Sequence, residues 1–171
     1  MRPSIDEWGL GIAKVTATRS TCLRRSVGAV LVDFRGHVIA TGYNGVVSGK
    51  KHCNDKVMEK DGGIISPTYP YACSGALSKT GTNLDGCEAI HAEQNCLLKC
   101  SNVYAIYSCY VTVSPCFTCT KLLLNTACSR IVFSDRYAHW EKTKMLWEGS
   151  GREWIWFENK EPVAGLLPDG F

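Results

Sequence analysis

Residues 87–95 read CEAIHAEQN, and about 25 residues after His91 the chain continues SPCFTC over 114–119. Metal ligands restrict a fold severely, because donors far apart in sequence must converge on one point. His91, Cys116 and Cys119 offer one nitrogen and two sulfurs. In C-x-x-C the first turn of a helix brings both sulfurs to one side, and Zn²⁺ takes a mixed N/S set tetrahedrally. Three protein donors leave the fourth position for water, which is the arrangement of a catalytic zinc. Glu93, two residues beyond His91, is poorly placed as a fourth ligand but within reach of such a water. Two thiolates and a neutral imidazole cancel the metal's charge, so the water is acidified less than beside three histidines and a general base is needed. Both fragments are predicted to open helices, whose N-termini favour thiolates. The alternative, a closed structural zinc with Cys87 or Cys96 as fourth ligand, leaves Glu93 and Pro115 without a role.

The chain has ten cysteines. Residues 1–19 carry Asp6 and Glu7 and lack the apolar stretch of a signal peptide. No run of about 18 apolar residues marks a membrane span. The expectation is a cytoplasmic chain, where clustered cysteines mean metal or catalysis more often than disulfides. The 171 residues, 45% of them hydrophobic, suit one domain with a core of its own. With 19 basic and 16 acidic residues the net charge is +3, which does not indicate the clustered basic face of a nucleic-acid binder. Basic residues bunch locally at Arg19, Arg24 and Arg25 and at Lys50 and Lys51, as solvated loops or as a site for a small phosphorylated ligand.

Hydrophobic spacing predicts a helix over 4–19, with Ser4 as N-cap and Ile5, Trp8, Ile12 and Val15 on one stripe. Strands are predicted at 27–33 and 37–44 around a turn at 34–36. Residues 45–86 are rich in Gly, Ser, Lys, Pro and Asn, with one possible short helix near 54–60. A loop of that length is uncommon unless it is functional or held by something, and it reads as an insertion. A helix follows from His91, then a strand at 107–113, a helix at 116–127, a strand at 130–134, a helix at 141–148 and a strand at 154–157. The order αββαβαβαβ implies an α/β domain with a mixed sheet and helices packed on it.

H-x-E followed by P-C-x-x-C is the signature of the zinc nucleobase deaminases. The chain resembles the cytidine/deoxycytidylate deaminase superfamily in HAE and PCFTC. It resembles more narrowly the deoxycytidylate (dCMP) deaminase family in RRSVGAVLV (24–32), ATGYNG (40–45), YPYAC (69–73), IHAEQN (90–95) and YVTVSPCFTC (110–119). The resemblance covers roughly residues 5–140. It departs at CSGALSKTGTNLDG (73–86), at Cys96, where a small apolar residue is usual, and from about residue 150 onward.

The resemblance implies a three-layer cytidine-deaminase-like fold over residues 1–171, with a central mixed sheet of about five strands. It implies hydrolysis of dCMP to dUMP and ammonia, with Glu93 moving protons from the water nucleophile to N3 and to the departing amine. Asn44 is implied at the substrate sugar, although Asn-Gly at 44–45 is also a strong turn former. Ser114, Tyr137 and Arg25 are candidate substrate contacts. Arg24, Arg136 and Lys142 are further candidates for a 5′-phosphate. Trp140 and Trp147 read as core or subunit-contact positions.

Cys22, Cys53, Cys73 and Cys87 flank the insertion, where some family members hold a second, structural zinc. His52 is a substitute ligand, and buried thiols are the alternative. Cys96, Cys100, Cys109 and Cys128 read as core. The family also implies a nucleoside triphosphate with Mg²⁺ near Gly42, Tyr43, Asn44, Gly45 and Lys50, with dCTP activating and dTTP inhibiting, and a homo-oligomer, commonly a hexamer. Other readings are deamination of another cytosine or adenine substrate, in a nucleoside or polynucleotide, and a non-catalytic zinc-bearing DNA-uptake accessory module. Intact Glu93 disfavours the last of these.

Overall fold

A computed structural model describes residues 2–55, 69–79, 82–83 and 85–158. The first helix, α1 (Ile5–Ala17), opens at Ser4. The Ser4 hydroxyl accepts from the Glu7 N–H at 3.2 Å, and the Glu7 carboxylate accepts the Ser4 N–H at 2.6 Å. This capping box satisfies two donors that helix ends leave free. The predicted stripe is not the buried one. Leu10, Ala13 and Ala17 face inward, while Ile5, Trp8 and Val15 stay exposed. The small residues set this orientation, because the Tyr110 ring occupies the space beside Gly9 and the Ala13 backbone lies against Gly28.

Five strands form the main sheet: β1 (Gly28–Val32), β2 (Val38–Tyr43), β5 (Ser108–Val113), β6 (Arg130–Asp135) and β7 (Glu153–Trp156), in the order β2-β1-β5-β6-β7. β1 runs antiparallel to β2 and to β5, whereas β5–β6 and β6–β7 are parallel. β1 and β5 are buried at every position, as strands covered on both faces must be. On one face α1 packs on Val30, Val32, Tyr110 and Val132. On the other, α2 (Ala92–Lys99), α3 (Phe117–Leu124) and α4 (Trp140–Glu148) close over Ala29, Leu31, Cys109, Val111, Ile131 and Phe133. The three-layer α/β expectation holds.

A second, two-stranded sheet is absent from the sequence reading. In it β3 (Gly45–Val46) pairs with β4 (Ala89–Ile90), Gly45 opposite Ile90 and Val46 opposite Ala89. It stitches the start of the long insertion to the residues just before His91. The helix expected near 54–60 lies largely outside the described residues. Trp147 is core, with its Nε1–H donated to the Glu153 carbonyl at 2.9 Å. Cys96, Cys109 and Cys128 are buried, and Cys100 is only partly covered at the edge of the same core. No helix among the described residues is long and apolar enough to cross a membrane.

Candidate active site

Both metal-binding fragments sit at helix starts. His91 is the N-cap of α2 and Cys116 the N-cap of α3, with Cys119 one turn further in. The Gln94 side chain accepts the His91 N–H at 2.9 Å and holds this entry to α2. His91 Nδ1 lies 3.4 Å from Cys116 Sγ and 3.4 Å from Cys119 Sγ. A tetrahedral zinc with bonds of about 2.3 Å to sulfur and about 2.0 Å to nitrogen requires an S···N edge of about 3.5 Å. The donor set therefore fits Zn²⁺ in chemistry and spacing. Among the described residues it is the one group of three ligand atoms within 4.8 Å of one another.

Of the three donors, Cys116 is the one that its neighbours hold toward the thiolate form. A hydrogen bond from Cys119 brings the Cys116 thiol down to about 4, aided by His91. Cys119, the donor in that pair and itself buried, is pushed up. The hydrogen bond with Cys116 raises His91. Glu93, on the first turn of α2, is buried. Burial pushes its carboxyl up to about 7, and the neighbouring Cys116 thiolate acts in the same direction. A carboxyl poised near neutrality can both accept and return a proton.

His91, Glu93 and Cys116 line a cavity of about 920 Å³. It opens at the carboxyl ends of β5 and β6, where open α/β sheets bind ligands. Asn44, Ser114, Tyr137, Arg24, Arg25 and Lys142 line it as well, so the sequence-predicted substrate residues converge on one space. Asn44 is largely committed to the protein. Its carboxamide oxygen accepts from Ser20 Oγ at 2.7 Å and the Val27 N–H at 2.8 Å, and its nitrogen donates to the Arg25 carbonyl at 2.8 Å. Among the described residues no acceptor takes its second N–H. Ser114 is an organiser of the rim: its Oγ accepts the Tyr137 N–H at 2.8 Å and its own N–H donates to the Asp135 carbonyl at 2.7 Å. Arg25 lies 3.8 Å from the Asp135 carboxylate.

Other expectations are redirected. Arg136 lies outside the cavity lining, with its guanidinium carbon 3.5 Å from the centroid of the Trp156 ring and 5.0 Å from that of Trp140. It lies just beyond the end of β6 at Asp135, and the next residue, Tyr137, lines the cavity. Gly42 is filled by packing, because a Cβ there would lie 2.4 Å from the Ala92 carbonyl oxygen and 2.5 Å from the Cys96 nitrogen. Lys50 pairs with Glu88 at 2.8 Å, and Lys99 stands over the Tyr43 ring. Gly45 sits in β3.

Of the four cysteines at the insertion, Cys53 and Cys73 meet with sulfurs 3.7 Å apart. Cys22 and Cys87 line the cavity and do not complete a three-ligand group with them. Sequence reasoning missed Phe117, His139 and Glu141, which also line the cavity. Phe117 follows a ligand directly, and that position was the available signal. His139 is set by a left-handed backbone (φ 62°) before α4, which no local pattern announces.

A five-stranded mixed sheet between helical layers, with a His-Cys-Cys donor set and a buried carboxyl at two helix N-termini, defines the zinc-dependent deaminase class of α/β proteins. Residues 3–135 match the family model described as the cytidine and deoxycytidylate deaminase zinc-binding region. The chain belongs to the cytidine and deoxycytidylate deaminase family. It is similar to the deoxycytidylate deaminase of Mycobacterium phage D29, 38% identical over 136 residues, covering 77% of this chain and 95% of that enzyme. It is also similar to the deoxycytidylate deaminase of Schizosaccharomyces pombe, 35% identical over 164 residues, covering 92% of this chain and 46% of that one. The chain thus spans nearly all of the phage relative and about half of the yeast one. Among solved structures it resembles the dCMP deaminase of cyanophage S-TIM5 in complex with dCMP and dUMP, with a TM-score of 0.65, 25% identity, and 92% and 99% of the two chains covered.

Proposed function

We propose that this chain hydrolyses dCMP to dUMP and ammonia. The observation that carries the reading is the His91–Cys116–Cys119 donor set, with His91, Cys116 and buried Glu93 on one cavity whose lining also holds Arg24, Arg25 and Lys142. The donor set serves deamination, and the cations suit a 5′-phosphate. A zinc ion held there supplies Lewis-acid activation of a water. The buried Glu93 takes a proton from the attacking water, delivers it to N3 of cytosine, and passes the second proton to the departing amine at C4. Arg25 and Lys142 hold the phosphate, Tyr137 closes the rim over the substrate, and the remaining Asn44 N–H binds a sugar hydroxyl. Glu93→Gln keeps the shape and removes the proton carrier. It should retain zinc and lose dCMP turnover, followed by the loss of cytosine absorbance, by at least about 10²–10⁴-fold. Near-normal turnover in that variant would sink the assignment.

Two further features belong to the same reading. Cys22, Cys53, Cys73 and Cys87 hold a second, structural zinc at the base of the insertion. The 3.7 Å approach of Cys53 and Cys73 supports it, and Cys22 and Cys87 would close on the pair as the metal binds. Elemental analysis should give about two zinc atoms per folded chain, and one per fully active chain would rule the second site out. A nucleoside triphosphate with Mg²⁺ binds near Tyr43, Gly45 and Lys50 in a homo-oligomer, commonly a hexamer in this family, with dCTP activating and dTTP inhibiting. The join of β3 to β4 supports the coupling, since it links that loop to the entry of the His91 helix. Saturating dCMP should weaken labelled dTTP to a finite plateau, as linkage between distinct sites requires. Complete displacement would mean simple competition in the pyrimidine pocket.

A further inference from the structure

Where the chain leaves β6 it is held from two sides. On the cavity side, Ser114 donates its N–H to the Asp135 carbonyl at 2.7 Å and accepts the Tyr137 N–H at 2.8 Å. On the opposite side, Trp156, at the end of the edge strand β7, donates its Nε1–H to the Ser134 carbonyl at 3.0 Å. The Arg136 guanidinium lies against the same Trp156 ring, 3.5 Å from its centroid, and 5.0 Å from the ring of Trp140 on α4. The four residues 134–137 therefore alternate: Ser134 and Arg136 are tied to tryptophans, Asp135 and Tyr137 to the mouth of the cavity. Asp135 in turn stands 3.8 Å from Arg25.

We propose that Trp156, Arg136 and Trp140 form a positioning stack that fixes the rim segment 135–137, and through Tyr137 and Arg25 sets affinity for the phosphorylated end of the substrate. The proposal rests on the dCMP reading above. A planar guanidinium between aromatic faces is held in orientation as well as in place, which an ammonium group is not. Arg136 thus acts through its neighbours, without touching the substrate. The stack lies on the far side of the segment from His91, Cys116 and Cys119, so its loss should change binding and leave proton transfer at Glu93 alone.

The experiment compares zinc-loaded wild type with Arg136→Ala, Trp156→Leu, Trp156→Phe and the Arg136→Ala/Trp156→Leu double variant. It measures kcat and KM for dCMP together with the Kd for dUMP by calorimetry. Arg136→Ala and Trp156→Leu should each raise KM and the dUMP Kd by about two- to fivefold, with kcat essentially unchanged, since exposed cation–π contacts are worth about that much. Trp156→Phe keeps a ring face and should recover much of the affinity. The double variant should be no weaker than the worse single one, because both remove the same contact. Unchanged KM and Kd in Arg136→Ala, which sits on the surface and does not threaten folding, would overturn the stack's role. So would a fall in kcat at constant KM, or multiplicative losses in the double variant. A zinc-loaded wild type that neither binds dUMP nor converts dCMP would overturn the functional reading and this proposal with it. A wild type that turns over with unaffected variants would overturn the stack alone.

Discussion

Tyr110 shows how a single residue can tie stability to pH away from the reaction. Its ring is buried under α1, and its hydroxyl donates to Asp6 at 2.9 Å. Asp6 is also paired with Arg130 at 3.1 Å. Burial, with the Asp6 hydrogen bond adding, pushes the Tyr110 phenol up to about 12. The neutral form is therefore favoured in the fold. The associated stability is fully present below the ordinary tyrosine value of about 10 and is lost as pH rises toward 12. Between pH 8 and pH 11 the loss should be about 1.4 kcal/mol. Tyr110→Phe should be less stable at pH 8, having lost the hydrogen bond, but should lack this part of the alkaline decline. Denaturant unfolding of both proteins at the two pH values tests it; parallel declines would mean that Tyr110 ionises freely in the fold. The motif residues were legible at this scale. HAE and PCFTC are local, and each ligand lies where a helix starts, so sequence spacing sufficed. The committed carboxamide of Asn44 and the outward turn of Arg136 were not legible, since Ser20, Val27, Trp140 and Trp156 reach them only in the folded chain.

Helix placement against the sheet depends on two strand glycines. Gly42 lies under α2, and Gly28 lies under α1, where a Cβ would come within 2.0 Å of the Ala13 carbonyl oxygen. An added methyl at either position has only backbone to displace, so each alanine variant should lose at least about 1–3 kcal/mol. Their effects on the site should differ. Gly42→Ala pushes on the helix that carries His91 and Glu93, so the folded fraction should bind zinc more weakly. Gly28→Ala pushes on α1, on the opposite face, and should leave zinc affinity near normal. Zinc titration of the two variants at matched folded fraction is the measurement. Equal affinities would mean that α2 is not held to the metal geometry by β2. Elements with a strong period were anticipated within a few residues of their observed ends. The pair β3–β4 was not, because two residues per strand leave no pattern, and α1 had its period recognised but the wrong face assigned. The bulkiest residues gave the stripe, whereas close approach selected the smallest.

For the whole molecule, the donor set joins two helices that the chain reaches at separate points, His91 at α2 and Cys116 with Cys119 at α3. A metal bound there favours the folded over the unfolded chain, by about 4 kcal/mol at a thousandfold excess over its dissociation constant. With about 2–4 °C per kcal/mol for a chain of this size, chelation should lower the melting temperature by about 10 °C, and zinc should restore it. An unchanged melting temperature in metal-free protein would mean that the domain closes without help from the metal.

By itself the sequence determined the α/β order of elements, the three donors and the carboxyl beside them, and a family resemblance that the family comparison bears out. These are written in short spacings and in the periods of single helices and strands. Only the tertiary structure decided the strand order β2-β1-β5-β6-β7, the face that α1 buries, the packing role of Gly42 and the direction of Arg136. Each depends on a partner distant in sequence, and close packing leaves room for that partner on one side only.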